Sequence, residues 1–281
     1  MQKYAILISY CGTEYCGWQK QKGSAAFGKT SIQQILEESL ERITGEKISV
    51  VGSGRTDSGV HALGQVAHFI LSKKRWDFCV LERALNGLLP ASIRVLSVQP
   101  IDFGFHAQRS AEKKQYSYYF QQGSCALPYL IPSSWWIRKK MNFDQMSQAV
   151  QCLVGEHDFK AFQASGAKPG STVRRIFEAQ VSFEPIPFPR QVDSELWADG
   201  SNWGLVRFRV VGTGFLKQMV RGIAGTLLQV GEGRRDPSCM IQILESRDRS
   251  LVGPTAPARA LWLEKVEYPA GFKLKWETLT F

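Results

Sequence analysis

The sequence predicts an α+β fold in which strands and helices alternate through two subdomains. Segments with apolar residues at every second position follow segments that carry an apolar stripe at helical spacing. The 281 residues, 44% of them hydrophobic, are enough to bury one large core or two smaller ones. The pattern breaks near Gly104, so we place a boundary there, between subdomains at residues 1–104 and 105–281.

The first subdomain begins with a strand at residues 5–10 and a loop rich in glycine and aromatic residues. Those aromatics could stack on bases, although packing against a core is the commoner fate of a tryptophan. Ser31 and Gln34 form a capping box, which predicts a helix from Ser31 to Ile43 that stops at Gly45. The remaining predicted elements are strands at residues 48–51, 65–71 and 93–98 and a helix at residues 77–88.

The second subdomain has the same mixture of elements. A strand places Tyr116, Tyr118 and Phe120 on one face, which is either a stacking platform or an ordinary packed face. Asn142 caps a helix that is predicted to reach Val154. The later predicted elements are a strand at residues 172–183, a surface excursion at residues 184–202, a strand at residues 205–211, a helix at residues 215–230, a helix starting at residue 236 and a strand at residues 261–266.

The balance of charged residues indicates which class of partner the protein binds. Thirty-five Lys and Arg against twenty-five Asp and Glu give a net charge of +10, and the basic residues recur in small groups. This pattern is typical of a protein that binds a polyanion over a wide surface, and the alternative is a generally basic soluble protein. No apolar run is long enough to span a bilayer and no signal peptide is evident, so we expect a cytoplasmic protein with no membrane partner.

Cysteine and histidine spacing argues against metal and disulfide chemistry. The six cysteines are scattered without a C-x-x-C pair, and the four histidines do not cluster with them. We therefore expect reduced thiols and no zinc site.

The loop at residues 52–64 contains four glycines together with Arg55 and Asp57. Glycines permit positive φ and close approach by other atoms. From composition this is a hairpin loop with an ion pair between Arg55 and Asp57. An ionised aspartate in an enclosed site can also act as a covalent nucleophile. Arg221 lies beside the apolar stripe of its predicted helix, so it needs an acidic or phosphate partner, or a stem lying along the surface.

Eight segments, in order, resemble motifs of the TruA-type tRNA pseudouridine synthase family. The most specific is GRTDSGVHA at residues 54–62. The others are Y-x-G-x-x-Y-x-G-W-Q-x-Q at residues 10–21, NGLLP at 86–90, FHA at 105–107, KQYSY at 114–118, D-F-x-x-F at 158–162, FLKQMVR at 215–221 and PTAP at 254–257.

The resemblance implies the pseudouridine synthase fold, with an active-site cleft between the subdomains. It implies isomerisation of uridines 38, 39 or 40 in the anticodon stem-loop of tRNA by a homodimer, with no cofactor and no metal. Asp57 falls on the catalytic aspartate, which attacks C1′ of the sugar or C6 of the base. Tyr116 falls on the tyrosine that stacks on the target base, Arg221 on the arginine that pairs with the carboxylate, and Arg55 on the arginine that helps to hold the flipped-out state.

The sequence departs from the family pattern at a few positions, none of them Asp57, Tyr116 or Arg221. Cys11 replaces an acidic residue, Ser58 replaces alanine, and Lys217-Gln218 replaces an aromatic or histidine pair. Two other hypotheses remain open. One is a non-catalytic tRNA-binding or chaperone protein on the same scaffold, and the other is a nucleoside or glycoside hydrolase that uses Asp57.

Overall fold

The α+β class is confirmed by a computed structural model, which describes residues 1–20, 28–72, 76–166, 169–184 and 204–278. The chain divides into two compact units. One comprises Met1–Lys114 and the residues from Trp262 onwards, and the other comprises Gln115–Leu261. The boundary at residue 104 remains a prediction. None of the described helices is long and apolar enough to cross a membrane.

The first unit is a sheet with two helices. Its elements are β1 (Gln2–Tyr10), α1 (Ile32–Thr44), β2 (Val51–Gly52), β3 (His61–Leu71), α2 (Phe78–Leu88), β4 (Ile93–Pro100) and β10 (Leu261–Glu267). The strand order is β4-β1-β3-β10, and β2 pairs with β3. β1 pairs antiparallel with both neighbours and β10 pairs parallel with β3. β1 is buried on both faces from Tyr4 to Ile8.

The second unit is also built from strands and helices. Its elements are β5 (Lys113–Gln122), β6 (Trp135–Ile137), α3 (Phe143–Gln151), β7 (Gly155–Asp158), β8 (Val173–Glu184), β9 (Gly204–Gly212), α4 (Met219–Gly231) and α5 (Cys239–Ser246). The strand order is β5-β9-β8-β7, with β6 beside β5. Arg207 and Arg209 of β9 point away from the core while Val206 and Phe208 are fully buried, as alternation predicts. The predicted excursion at residues 184–202 lies, from residue 185 on, outside the described residues.

The predicted helix caps are confirmed. The Ser31 side chain accepts a hydrogen bond from the Gln34 backbone N–H, and Gly45 ends α1 with φ of 70°. Asn142 caps α3 in the same way, accepting from the Gln145 N–H. These signals are reliable because a cap satisfies backbone donors that the helix itself leaves unpaired.

Three helix ends were predicted wrongly. α3 ends at Gln151 and not at Val154, because the next residues form tighter i→i+3 bonds. α4 begins at Met219 and not at Phe215, because Gln218 has φ of 57° and cannot continue a helix. α5 begins at Cys239, and Asp236 instead accepts from the Ser238 N–H ahead of it.

Candidate active site

The loop that carries Asp57 connects β2 to β3 and is anchored where it leaves β2. The Ser53 N–H donates to the Val66 carbonyl at 2.7 Å. The Ser53 hydroxyl donates to Gln65 Oε1 at 2.6 Å, and Gln65 Nε2 donates to the Gly54 carbonyl at 3.0 Å. Ser53 and Gln65 are fully buried, so these bonds are shielded from water. The first residues of the loop are therefore fixed against β3.

Asp57 is the first residue of a β-turn. The Val60 N–H donates to the Asp57 carbonyl at 3.1 Å, and Gly59, the third residue, has φ of 80°. A glycine at this position is favoured because other residues are strained at positive φ. The Asp57 side chain is partly exposed at the turn. A carboxylate in this position can reach a substrate while its backbone stays in one conformation.

The N-terminal loop supports this turn through close backbone contacts. A methyl carbon added at Gly12 would lie 1.9 Å from the Val60 carbonyl oxygen, and one at Gly17 would lie 2.6 Å from the Thr56 oxygen. The Trp18 N–H donates to the same Thr56 oxygen at 3.1 Å. The glycines of this motif are therefore required because two loops approach at backbone distance.

The aromatic residues of the N-terminal loop belong to the core. Tyr10, Tyr15 and Trp18 are 3%, 6% and 2% exposed. The Tyr10 hydroxyl lies 2.8 Å from the Thr56 hydroxyl, and the Ser58 hydroxyl donates to the Tyr15 carbonyl at 3.0 Å. Of the two alternatives that the sequence left open for these rings, packing is the one observed, and they hold the Asp57 loop from beneath.

Two cationic side chains accompany the loop, and the structure corrects one prediction about them. Arg55 is exposed and makes no ion pair or hydrogen bond with any described residue, so the pairing with Asp57 that composition suggested was wrong. Lys114 donates from Nζ to the Ser53 carbonyl at 2.7 Å, beside Gly54. The sequence analysis placed Lys114 in the KQYSY motif but gave the residue no role of its own.

His61 is the penultimate residue of the motif and the first residue of β3. Its ring is fully buried and stacks on Trp262 with centroids 4.3 Å apart. Nδ1 accepts a hydrogen bond from the Gly12 N–H at 3.1 Å. An imidazole that accepts at Nδ1 carries its proton at Nε2 when it is neutral. His61 therefore ties the N-terminal loop to β3 as a structural residue.

Tyr116 and Arg221 belong to the second unit, whereas Asp57 and Arg55 belong to the first. Tyr116 is 7% exposed, and its ring meets Phe215 edge to face at 5.1 Å. Arg221 lies in the first turn of α4 and is partly enclosed, as predicted. Its Nε donates to the Ala256 carbonyl at 2.7 Å. A backbone oxygen thus holds Nε of the Arg221 guanidinium group, and the side chain does not lie loosely along the surface.

Arginines on the sheet of the second unit are partly neutralised. Arg207 pairs with Glu184 at 3.2 Å, and Arg209 pairs with Glu178 at 2.9 Å. Arg207 also donates from Nε to the Ser117 hydroxyl at 2.9 Å. These pairs fix the orientation of the two guanidinium groups, so their contribution to a basic surface is smaller than the sequence count suggests.

All six cysteines are free thiols, and no group of three or more His, Cys, Asp or Glu within the described ranges could hold a metal ion. Burial raises the pKa of the Cys152 thiol to about 11, which leaves it protonated and unreactive at neutral pH. Cys11, Cys79 and Cys125 are exposed, so the expectation of structural thiols does not extend to these three.

Comparison with known proteins identifies the family. The family model described as tRNA pseudouridine synthase matches residues 6–108 and 149–269, which include Asp57, Arg55 and Arg221. A tRNA pseudouridine synthase A from Bdellovibrio bacteriovorus is 38% identical over 272 residues, which cover 95% of each chain. Proteins of the same name from Acetivibrio thermocellus and Geotalea daltonii are 36% and 38% identical, over 95% of this chain and 100% of theirs. These matches extend over most of the sequence, and the chain therefore belongs to the tRNA pseudouridine synthase family, whose members are isomerases that act on uridine in tRNA.

Proposed function

We propose that this protein converts uridine to pseudouridine at positions 38, 39 or 40 of the tRNA anticodon stem-loop, with Asp57 as the nucleophile. The observation that carries the proposal is the Asp57 turn. Its carboxylate is partly exposed, while the backbone on either side is fixed by buried hydrogen bonds and by the glycine contacts of the N-terminal loop. Such preorganisation is what a nucleophile needs in order to meet one carbon atom repeatedly in the same geometry.

The reaction is an isomerisation, so its atoms balance without a co-reactant. The bond between N1 of the uracil and C1′ breaks, a bond between C5 and C1′ forms, and the proton on C5 is lost while N1 gains one. Asp57 attacks either C1′ or C6 and is released once the base has turned. In this proposal Tyr116 stacks on the target base and is the candidate for proton transfer, and Arg221 pairs with the Asp57 carboxylate.

The substrate nucleotide must leave the helical stack to reach Asp57, because the reacting atoms are inaccessible within a paired stem. Arg55 suits the task of holding the flipped-out state, since it is exposed beside the turn and pairs with no described residue. The net charge of +10 suits a polyanionic partner that is contacted widely. We propose that a homodimer binds the tRNA and that it acts in the cytoplasm.

The variant Asp57→Asn tests the nucleophile. We expect it to abolish pseudouridine formation in unmodified tRNA, because an amide cannot form the covalent intermediate, while the tRNA dissociation constant changes less than about threefold. Glu41→Gln is the matched control, since it removes one negative charge from an exposed position of the same unit. The control should retain wild-type activity.

Three outcomes would contradict the proposal. Retained activity in Asp57→Asn would exclude Asp57 as the nucleophile. A wild-type protein that binds tRNA and leaves every uridine unmodified would instead support the non-catalytic tRNA-binding alternative. Turnover of free nucleoside would support the hydrolase alternative.

A further inference from the structure

The segment at residues 253–257, which contains the PTAP motif, is pressed against α4. A methyl carbon added at Gly225 would lie 1.7 Å from the Pro254 carbonyl oxygen. The Gly253 N–H donates to the Thr226 hydroxyl at 2.9 Å, and Thr226 is fully buried. The 253–257 segment is therefore fixed to the middle of the helix.

The same segment holds Arg221 at two points. The Ala256 N–H donates to the Arg221 carbonyl at 3.1 Å, and Arg221 Nε donates to the Ala256 carbonyl at 2.7 Å. The Nε–H bond lies in the plane of the guanidinium group, so a bond at Nε sets the direction in which the fork of terminal nitrogens points. The position of the Ala256 carbonyl therefore decides the orientation of the Arg221 head group.

Tyr118 secures the other end of the segment. Its hydroxyl donates to the Pro257 carbonyl at 2.9 Å, one residue beyond Ala256. Tyr118 is fully buried, and burial raises the pKa of its hydroxyl, so the group remains a protonated donor at neutral pH. Tyr118 also lies two residues from Tyr116 on the same face of β5.

We propose that Tyr118 is a positioning residue for Arg221: its hydroxyl fixes the Pro257 carbonyl and, through it, the Ala256 carbonyl that orients the guanidinium. The proposal rests on the proposed function, in which Arg221 pairs with the catalytic carboxylate. One face of β5 then carries two residues that act in the reaction. Tyr116 stacks on the target base, and Tyr118 orients Arg221.

The test compares Tyr118→Phe with Tyr119→Phe. Both delete one hydroxyl from β5, but Tyr119 lies on the opposite face, where the Arg207 guanidinium lies over its ring at 5.9 Å. Tyr118→Phe should lower kcat for pseudouridine formation by about 10- to 100-fold, the range expected when a catalytic group is displaced by up to 1 Å. The KM for tRNA should change less than about threefold, and Tyr119→Phe should leave kcat unchanged.

A double-mutant cycle distinguishes positioning from a general loss of structure. If Tyr118 acts through Arg221, the effect of Tyr118→Phe on kcat should largely disappear in an Arg221→Lys background, because lysine has no planar fork to orient. A purely structural role would produce the same fold-loss in both backgrounds, since loss of folded protein does not depend on Arg221. The melting temperature of each variant is measured in parallel.

Three results would overturn the proposal: wild-type kcat in Tyr118→Phe, an effect confined to KM, or an equal fold-loss in the two backgrounds. In each of these the wild-type protein still forms pseudouridine, so the proposed function is untouched. An inactive wild-type protein would overturn the proposed function and this inference with it.

Discussion

The loop that carries Asp57 and the helix that carries Arg221 are held in place by different means. The loop has no regular secondary structure between β2 and β3, and it is supported by neighbouring backbone at Gly12 and Gly17 together with side-chain hydrogen bonds such as that between Tyr10 and Thr56. Arg221 stands on a regular helix, and its orientation depends on the hydrogen bond that its Nε donates to the Ala256 carbonyl. At Asp57 the surrounding contacts fix the position of the backbone, whereas at Arg221 they fix the direction of a long side chain.

This difference predicts how each region responds to substitution. A loop has few hydrogen bonds of its own, so its conformation is only as stable as the contacts that surround it. A helix satisfies its own backbone, and its neighbours need only to place the side chains. Substitutions near Asp57 should therefore lower stability and activity together. Substitutions near Arg221 can lower activity alone, unless they displace the helix backbone.

The largest expected loss of stability is at Gly225, where a substitution does displace the helix backbone. Gly225→Ala would place a carbon 1.7 Å from the Pro254 oxygen, and a buried helix cannot move to relieve the overlap. We expect destabilisation by about 3–4 kcal/mol, at the upper end for overpacking. Urea denaturation measures it. Gly222→Ala on the same helix is the control, because its nearest neighbour is the Val252 side chain at 3.3 Å. Equal losses in the two variants would refute the backbone contact as the cause.

The next effect is at Gly12. Gly12→Ala would place a carbon 1.9 Å from the Val60 oxygen, but here both partners lie in loops that can shift. We expect a smaller destabilisation of about 2–3 kcal/mol, together with loss of activity, because the shift displaces the Asp57 turn. Gly87→Ala is the control, since no heavy atom lies within 4 Å of the added carbon on α2 and alanine favours a helix. A Gly12→Ala variant with normal kcat would show that the turn tolerates displacement.

The smallest of the three expected effects is a loss of stability at acid pH. It depends on His68 of β3, the strand that follows the Asp57 loop. Burial, together with the charges of Lys3, His106 and Arg109, lowers the pKa of His68 from 6.5 to about 4. The unfolded chain therefore binds the proton more readily, so His68 contributes stability above pH 6.5 that is lost as pH falls towards 4. The expected loss is roughly 2 kcal/mol.

The variant His68→Asn isolates that contribution. Its side-chain oxygen can still accept the hydrogen bond that the Ala107 N–H gives to His68 Nδ1, but it does not titrate. Urea unfolding midpoints of both proteins across this pH range give the comparison. Stability of the variant should depend less steeply on pH than that of the wild type. Parallel curves would show that His68 does not titrate in this range.

Local signals in the sequence were sufficient for much of the fold. The capping residues Ser31 and Asn142, the stop at Gly45 and the alternation in β9 all act within a few residues, and each appears as predicted. Helix ends were less predictable. The start of α4 depends on the positive φ of Gln218, a conformation that an apolar stripe does not encode.

The candidate site shows the same limit. The motif around Asp57 was evident from its residues, but composition paired Asp57 with Arg55, the nearest cation in the sequence, and that pair does not form. Trp18 was open to two interpretations because an aromatic residue beside a glycine gives the same pattern whether it is exposed or buried. Lys114 was missed because its contact with Ser53 joins residues 61 positions apart.

The sequence by itself determined the class of fold, most of the longer strands and helices and the family, because these depend on periodicity, caps and motifs that are read within short segments. It did not predict the short strands β6 and β7, and of the strand predicted at residues 48–51 only Val51 belongs to β2. Only the tertiary structure decided why the glycines at residues 12, 17 and 225 are needed and what holds Arg221 in place. The physical reason is that these features depend on close approach between segments that are distant in the chain. Steric exclusion and hydrogen bonding act over a few ångströms of space, whatever the separation along the sequence.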